Sequence, residues 1–172
     1  EEQISFDWAK ETVRHVGIVV HRWLQRIAED ELKGWDAKRV ESLRSRFERD
    51  LHRRGVQSPG PAAELVLTAL KNTLADKRGR WLLGPRPDAR SEYRLRTATR
   101  SLVIDRVLRD EKGTRWIVDF KTSRHAGADV DGFLDRERER YRAQLSRYSA
   151  ALGDGRPALY FPLHQGWRET GA

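Results

Sequence analysis

The sequence predicts an α/β fold of the α+β kind, a small mixed four-stranded sheet flanked by helices, with a helical N-terminal half. Three observations predict it. Apolar residues recur at helical spacing up to about residue 80 and at alternate positions after residue 90. The turn-rich stretch Gly84-Pro85-Arg86-Pro87-Asp88 marks the change. The order helices, three strands, helix, strand then gives a sheet covered by helices.

From Trp8 to about Leu32, Val13, Val16, Val20, Leu24 and Ile27 form one apolar stripe, and Gly17 interrupts this amphipathic helix without capping it. Asp36 caps a second helix that runs to Arg54 and stops at Gly55, with Val40, Leu43, Phe47 and Leu51 inward. Ser58 and Pro61 open a third helix, whose Leu65, Ala69 and Leu70 pack inward before Gly79 ends it. Strands follow at Ser91 to Ala98, Leu102 to Arg109 and Thr114 to Lys121. Thr122 to Gly132 reads as a loop, Phe133 to Leu152 as a strongly charged helix, and Ala158 to Leu163, after Pro157, as a fourth strand. A single domain over 1–172 is expected, helical over about 7–80 and sheet-containing over about 90–165.

The chain has 172 residues, enough to bury a real core. Lys plus Arg number 34 against 26 Asp plus Glu, a net charge of +8, which favours a polyanionic partner over a membrane. The absence of cysteine excludes disulfides, thiolate zinc sites, cysteine nucleophiles and iron–sulfur clusters. No apolar run approaches the ~20 residues that span a bilayer, and Glu1-Glu2-Gln3 is not a signal sequence, so a cytoplasmic location is expected. There is also no methionine, which suggests a piece cut from a longer polypeptide.

The second and third strands carry the chemistry. With Glu111-Lys112-Gly113 as a three-residue hairpin loop, each residue faces the one whose number completes 224, so Asp105 faces Asp119. Opposed like charges about 4.5–5.5 Å apart repel unless something positive lies between them. Lys121, two residues beyond Asp119, shares its face. A loop one residue shorter would send the two acids to opposite faces. Asp119 also interrupts the apolar run Trp116-Ile117-Val118-Asp119-Phe120, and Val103 and Val107 give Asp105 an apolar face. One lysine cannot neutralise two carboxylates, and the surplus charge asks for a divalent cation of the Mg²⁺ or Mn²⁺ type. Phosphodiester hydrolysis follows as the reaction, with Lys121 orienting water or stabilising transition-state charge.

Ile104-Asp105-Arg106-Val107, then Val118-Asp119-Phe120-Lys121-Thr122-Ser123, then Gln144-Leu145-Ser146-Arg147-Tyr148 resemble the PD-(D/E)XK nuclease superfamily. Within it, the chain looks most like the RecB-type nuclease domain at the C-terminus of bacterial UvrD-like helicase–nucleases, including AddA. The resemblance runs from about Val16 to Leu163. It implies a restriction-endonuclease-like core, Asp105, Asp119 and Lys121 as catalytic residues, and His21 on the first helix as a metal ligand beside Asp105 and Asp119. Gly17, one turn earlier, would leave room for the His21 ring. Gln144 and Tyr148, four apart on one helix face, are implied to support the site or contact DNA, and Glu92 to reach a metal through water. His15, His52, His125 and His164 are read as surface residues. Two departures stand out: Thr99-Arg100-Ser101 occupies a stretch where the family usually has a small residue, and no phosphate-binding Gly-x-x-x-x-Gly-Lys-Ser/Thr motif is present. The function implied is a DNA nuclease acting on single-stranded ends in repair. Its expected partners are DNA, a helicase domain in the same full-length chain and a partner subunit, with no membrane, in bacterial cytoplasm at the nucleoid. The alternative is a silent nuclease-like module that binds DNA or plays a structural part.

Overall fold

The computed structural model describes residues 2–171; Glu1 and Ala172, the ends of the expected domain, lie outside the described residues. The chain forms α1 (Glu2–Glu29), α2 (Ala37–Ser42), α3 (Arg44–Arg53), α4 (Pro59–Ala75), α5 (Lys77–Leu83), β1 (Arg90–Arg96), β2 (Ser101–Arg109), β3 (Arg115–Phe120), α6 (Val130–Leu152), β4 (Arg156–Phe161) and β5 (Gly166–Glu169). Among the described residues no helix is long and apolar enough to cross a membrane.

The helical half differs from expectation at two joints. Asp36 does cap α2, its Oδ1 accepting from Arg39 N–H at 2.8 Å, but the expected second helix breaks at Leu43 into α2 and α3. The expected third helix breaks at Asp76, whose carboxylate accepts from Gly79 N–H at 3.2 Å and caps α5. Gly79 therefore lies inside a helix instead of ending one. A Cβ there would come within 2.3 Å of Thr73 O and 2.9 Å of the Tyr160 hydroxyl, so close packing is what requires the glycine.

The sheet has five strands, one more than expected, in the order β1-β2-β3-β4-β5. β1, β2 and β3 form the expected antiparallel meander, β4 adds parallel to β3, and β5 folds back antiparallel to β4. The last strand is only four residues long and mixes Gly, Trp, Arg and Glu, too short to show a period. The turn before it takes up Leu163, so β4 ends earlier than expected. α6 begins at Val130, because the Asp129 side chain accepts from Gly132 N–H and caps the first turn.

Two apolar layers cover the sheet. Val20, Leu24 and Ile27 of α1 and the buried faces of α2 to α5 pack on Leu108, Trp116, Val118 and Tyr160. On the other side Leu134, Leu145 and Tyr148 of α6 pack on Ile117, Leu159 and Phe161. Arg106 penetrates the first layer at 4% exposure, its guanidinium donating to Leu82 O, Gly84 O and Ser91 Oγ at 2.8, 3.3 and 3.1 Å. Burial holds it below the usual arginine range, at about 10.

Candidate active site

The register of β2 and β3 decides which side chains meet. Gly113 adopts φ of +81°, as the three-residue loop demands, and the ladder runs from Arg109↔Arg115 to Arg106↔Val118. Every such pair of residue numbers totals 224, so the next position sets Asp105 against Asp119. The Phe120 N–H beyond it donates to Asp105 Oδ2 at 2.7 Å. On the other flank the β1–β2 pairing skips from Ser91↔Arg106 to Tyr93↔Ile104, and Glu92, which falls opposite Asp105, has φ of +50°. That left-handed conformation costs a side-chain-bearing residue roughly 1–2 kcal/mol. Glu92, Asp105 and Asp119 thus form one row of acids across three strands.

α1 brings in the imidazole. A Cβ on Gly17 would stand 3.0 Å from Thr122 Oγ1, so this glycine admits the loop after β3, where the sequence suggested room for the His21 ring. Its carbonyl also fixes that ring, accepting from His21 Nδ1 at 2.7 Å. His21 Nε2 lies 3.1 Å from Asp105 Oδ2 and 2.9 Å from Phe120 O, both acceptors. Both ring nitrogens therefore donate, which makes His21 an imidazolium. Burial alone would lower its pKa, but the bond and charge of Asp105 outweigh burial and raise it to about 9.

The two carboxylates are pushed apart. Burial would raise Asp105, yet His21 and the Phe120 N–H hold it below the usual carboxylate range. Burial and the Asp105 charge push Asp119 up to about 7, against the pull of Lys121. Lys121 Nζ is 2.7 Å from Asp119 Oδ2, but this oxygen is buried and the contact lacks hydrogen-bond alignment. The ammonium also donates to Gln144 Oε1 at 3.3 Å and sits 3.9 Å from the Tyr141 ring centroid. Gln144 Nε2 in turn donates to the Tyr148 hydroxyl at 2.9 Å.

All seven residues singled out in the sequence, His21, Glu92, Asp105, Asp119, Lys121, Gln144 and Tyr148, line one cleft of about 670 Å³ between α1, the sheet and α6. Val103 lines it too, 36% exposed instead of packed as the sequence suggested. Sequence reasoning missed Tyr141 and the Phe120 carbonyl. Tyr141 lies three residues before Gln144 on the same helix face, a signal the spacing carried, whereas a carbonyl has no sequence signature. Ser123 Oγ donates to buried Glu137 at 3.0 Å and ties the loop after β3 to α6. Of the other histidines, His15 is half-buried, and His125 and His164 pack on Phe133, so the surface reading holds only for His52.

Among the described residues no group of three His, Asp or Glu side chains stands arranged to hold a metal ion, and His21 and Asp105 bond directly to each other. The donor chemistry nevertheless fits a hard divalent cation. Nδ1–H to Gly17 O fixes the tautomer whose Nε2 becomes a lone pair once its proton leaves, facing Asp105 Oδ2 and Phe120 O. Asp119 Oδ2, beside Lys121 Nζ but without an aligned hydrogen bond, is a buried hard-oxygen donor. The His21 proton supplies the positive charge that such an ion would bring.

No curated protein matches the chain in sequence. The sequence profile of the PD-(D/E)XK nuclease superfamily, by contrast, matches residues 3–166, from the first turn of α1 to the start of β5. A match that spans the helical half, the sheet and α6 together leaves no part of the cleft outside it, and the chain belongs to the PD-(D/E)XK nuclease superfamily.

Proposed function

We propose that the chain is a metal-dependent deoxyribonuclease domain that hydrolyses phosphodiester bonds of single-stranded DNA ends during repair, as part of a RecB-type, AddA-like helicase–nuclease. The observation that carries the reading is the convergence of Asp105, Asp119 and Lys121 at the open end of one strand ladder, with His21 against them. Mg²⁺ or Mn²⁺ held by Asp105, Asp119 and His21 would supply Lewis acidity and a water of lowered pKa. Lys121 is held by Gln144 and the Tyr141 face, so its ammonium is positioned to offset charge growing on the phosphoryl oxygens. Gln144 passes that constraint to Tyr148, and Glu92 at the end of the acid row can hold a water. A helicase in the same full-length chain and a partner subunit would deliver the strand, in bacterial cytoplasm at the nucleoid.

The silent DNA-binding alternative has one observation in its favour, the direct His21–Asp105 bond where a ligand pair would otherwise open. Incubation of the chain with labelled single- and double-stranded DNA in Mg²⁺, Mn²⁺ or chelator decides between the two. Cleavage in either metal, absent in chelator and faster on single strands, is expected. Binding without cleavage in any metal would establish the silent module, and full-rate cleavage in chelator would remove the metal.

A further inference from the structure

A second groove lies on the far side of α1 from the acids. Arg22 lines both: it follows His21 in sequence and forms part of the acidic cleft and of this neighbouring groove of about 310 Å³. The rest of the groove is Arg26, Arg39 and Arg46 with Leu43 and the indoles of Trp23 and Trp35. No carboxylate lines it. Asp30 stands behind, accepting from Trp35 Nε1 at 2.9 Å and pairing with Arg26 at 3.3 Å. Arg22, Arg39 and Arg46 form no ion pair among the described residues, although arginines elsewhere, such as Arg44, Arg115 and Arg168, do.

Arg26 is compensated by Asp30, but the other three guanidinium groups around so small a volume repel one another unless an anion lies between them. Two are held in place by aromatic rings. Arg39 stacks on Trp35 at 3.8 Å and Arg46 lies over Trp23 at 5.0 Å. Arg39 also donates from Nη1 to Gly34 O at 3.2 Å; the other N–H groups of a stacked guanidinium stay available to phosphate oxygens, and its ordering is settled before any ligand arrives. Basic grooves interleaved with aromatic rings suit the backbone of a single nucleic-acid strand, and the groove is narrow, at the small-ligand end of pocket sizes.

We infer that this groove binds the phosphodiester backbone of the DNA strand on one side of the acidic cleft, so that Arg22 hands the strand from the groove to the cutting site. The identity of the occupant rests on the nuclease reading above. Continuity through Arg22 favours the substrate strand over an acidic segment of another protein, because a strand seated at the acids must pass over α1 or away from it.

The test is a binding measurement that needs no cleavage. Fluorescence anisotropy of a labelled oligothymidylate is followed in Ca²⁺ across a salt series, for the chain and for its Arg39→Ala/Arg46→Ala variant, with folding checked by circular dichroism. Arg39→Lys/Arg46→Lys serves as a second variant that keeps the charge. Loss of two phosphate contacts should weaken binding roughly tenfold or more at low salt and reduce the slope of log Kd against log salt by about 1.4. The lysine variant should keep the slope. An unchanged affinity and slope in the folded alanine variant overturns the groove, whether or not the chain cuts DNA. If the alanine variant instead loses affinity for polyglutamate while its oligothymidylate binding is intact, the groove serves an acidic protein and the inference also falls. A chain that never cleaves DNA but shows the expected drop in slope refutes the nuclease reading and leaves the groove standing.

Discussion

Replacing Asp119 by Asn should stabilise the metal-free protein at pH 8 and fail to do so at pH 5. A carboxyl that titrates near 7 in the fold and near 3.8 in the unfolded chain costs the fold on the order of 4 kcal/mol when ionised. The folded value lies above the unfolded one, so the stability linked to this group is complete below 3.8 and is lost as pH rises through about 7. Asparagine removes the charge but leaves Lys121 with only Gln144 and the Tyr141 ring, which returns part of the gain. The net gain expected at pH 8 is about 1–2 kcal/mol, or roughly 2–8 °C in Tm for a chain of this size. At pH 5 the native acid is already protonated, and the gain should vanish or become a small loss. Urea unfolding in chelator at both pH values measures this. A repeat in Mn²⁺ at about 100 times its Kd should add about 2.7 kcal/mol to the native chain and nothing to the variant. If Asp119→Asn destabilised equally at both pH values, Asp119 would be an ordinary ion-pair partner of Lys121 and the strained-carboxylate account would be wrong.

Other outcomes follow from the same geometry. Lys121→Ala should lower kcat by roughly 10²-fold or more while metal affinity holds or tightens, and His21→Ala should weaken metal binding first, with partial rescue at high Mn²⁺; matching metal titrations for the two would refute this division. Metal affinity should rise about tenfold per pH unit between 7 and 9, as the proton leaves His21, and more steeply below 7, where Asp119 also releases one; calorimetry showing no pH dependence would exclude His21 as a ligand. Arg106→Met should cost about 2–4 kcal/mol in urea unfolding, because Leu82 O and Gly84 O lose their donor inside the apolar layer, and a change under 0.5 kcal/mol would show that water replaces the guanidinium there.

Much of the cleft was legible because strand geometry converts spacing into direction. Gly113 set the loop length, the loop set the register, and the register set Asp105 against Asp119 with Lys121 on the same face. Glu92 was found on likeness alone; its place in the row depends on how β1 pairs with β2, and the sequence has no turn signal strong enough to fix that. The helix boundaries failed where a polar residue did two jobs. Asp76 reads as one more residue of a long helix until its carboxylate is seen to cap the next one, and Gly79 reads as a stop until Thr73 and Tyr160 are seen to leave no space for a side chain.

Local pattern was enough for the fold class, the hairpin and the pairing of the two acids, because each depends on neighbours within a few residues or on one turn. The rest needed the chain to close on itself. The His21–Asp105 contact joins residues 84 apart and the His21–Phe120 contact residues 99 apart, and both depend on how α1 lies on the sheet. Packing of α1 against the sheet and α6 decides that the same row of acids is buried, that one carboxyl is held down by an imidazolium while the other is driven up to about 7, and that four arginines around two indoles lie just across the helix. Burial and the distance between charges set these energies, and both are properties of the assembled fold that no stretch of sequence carries alone.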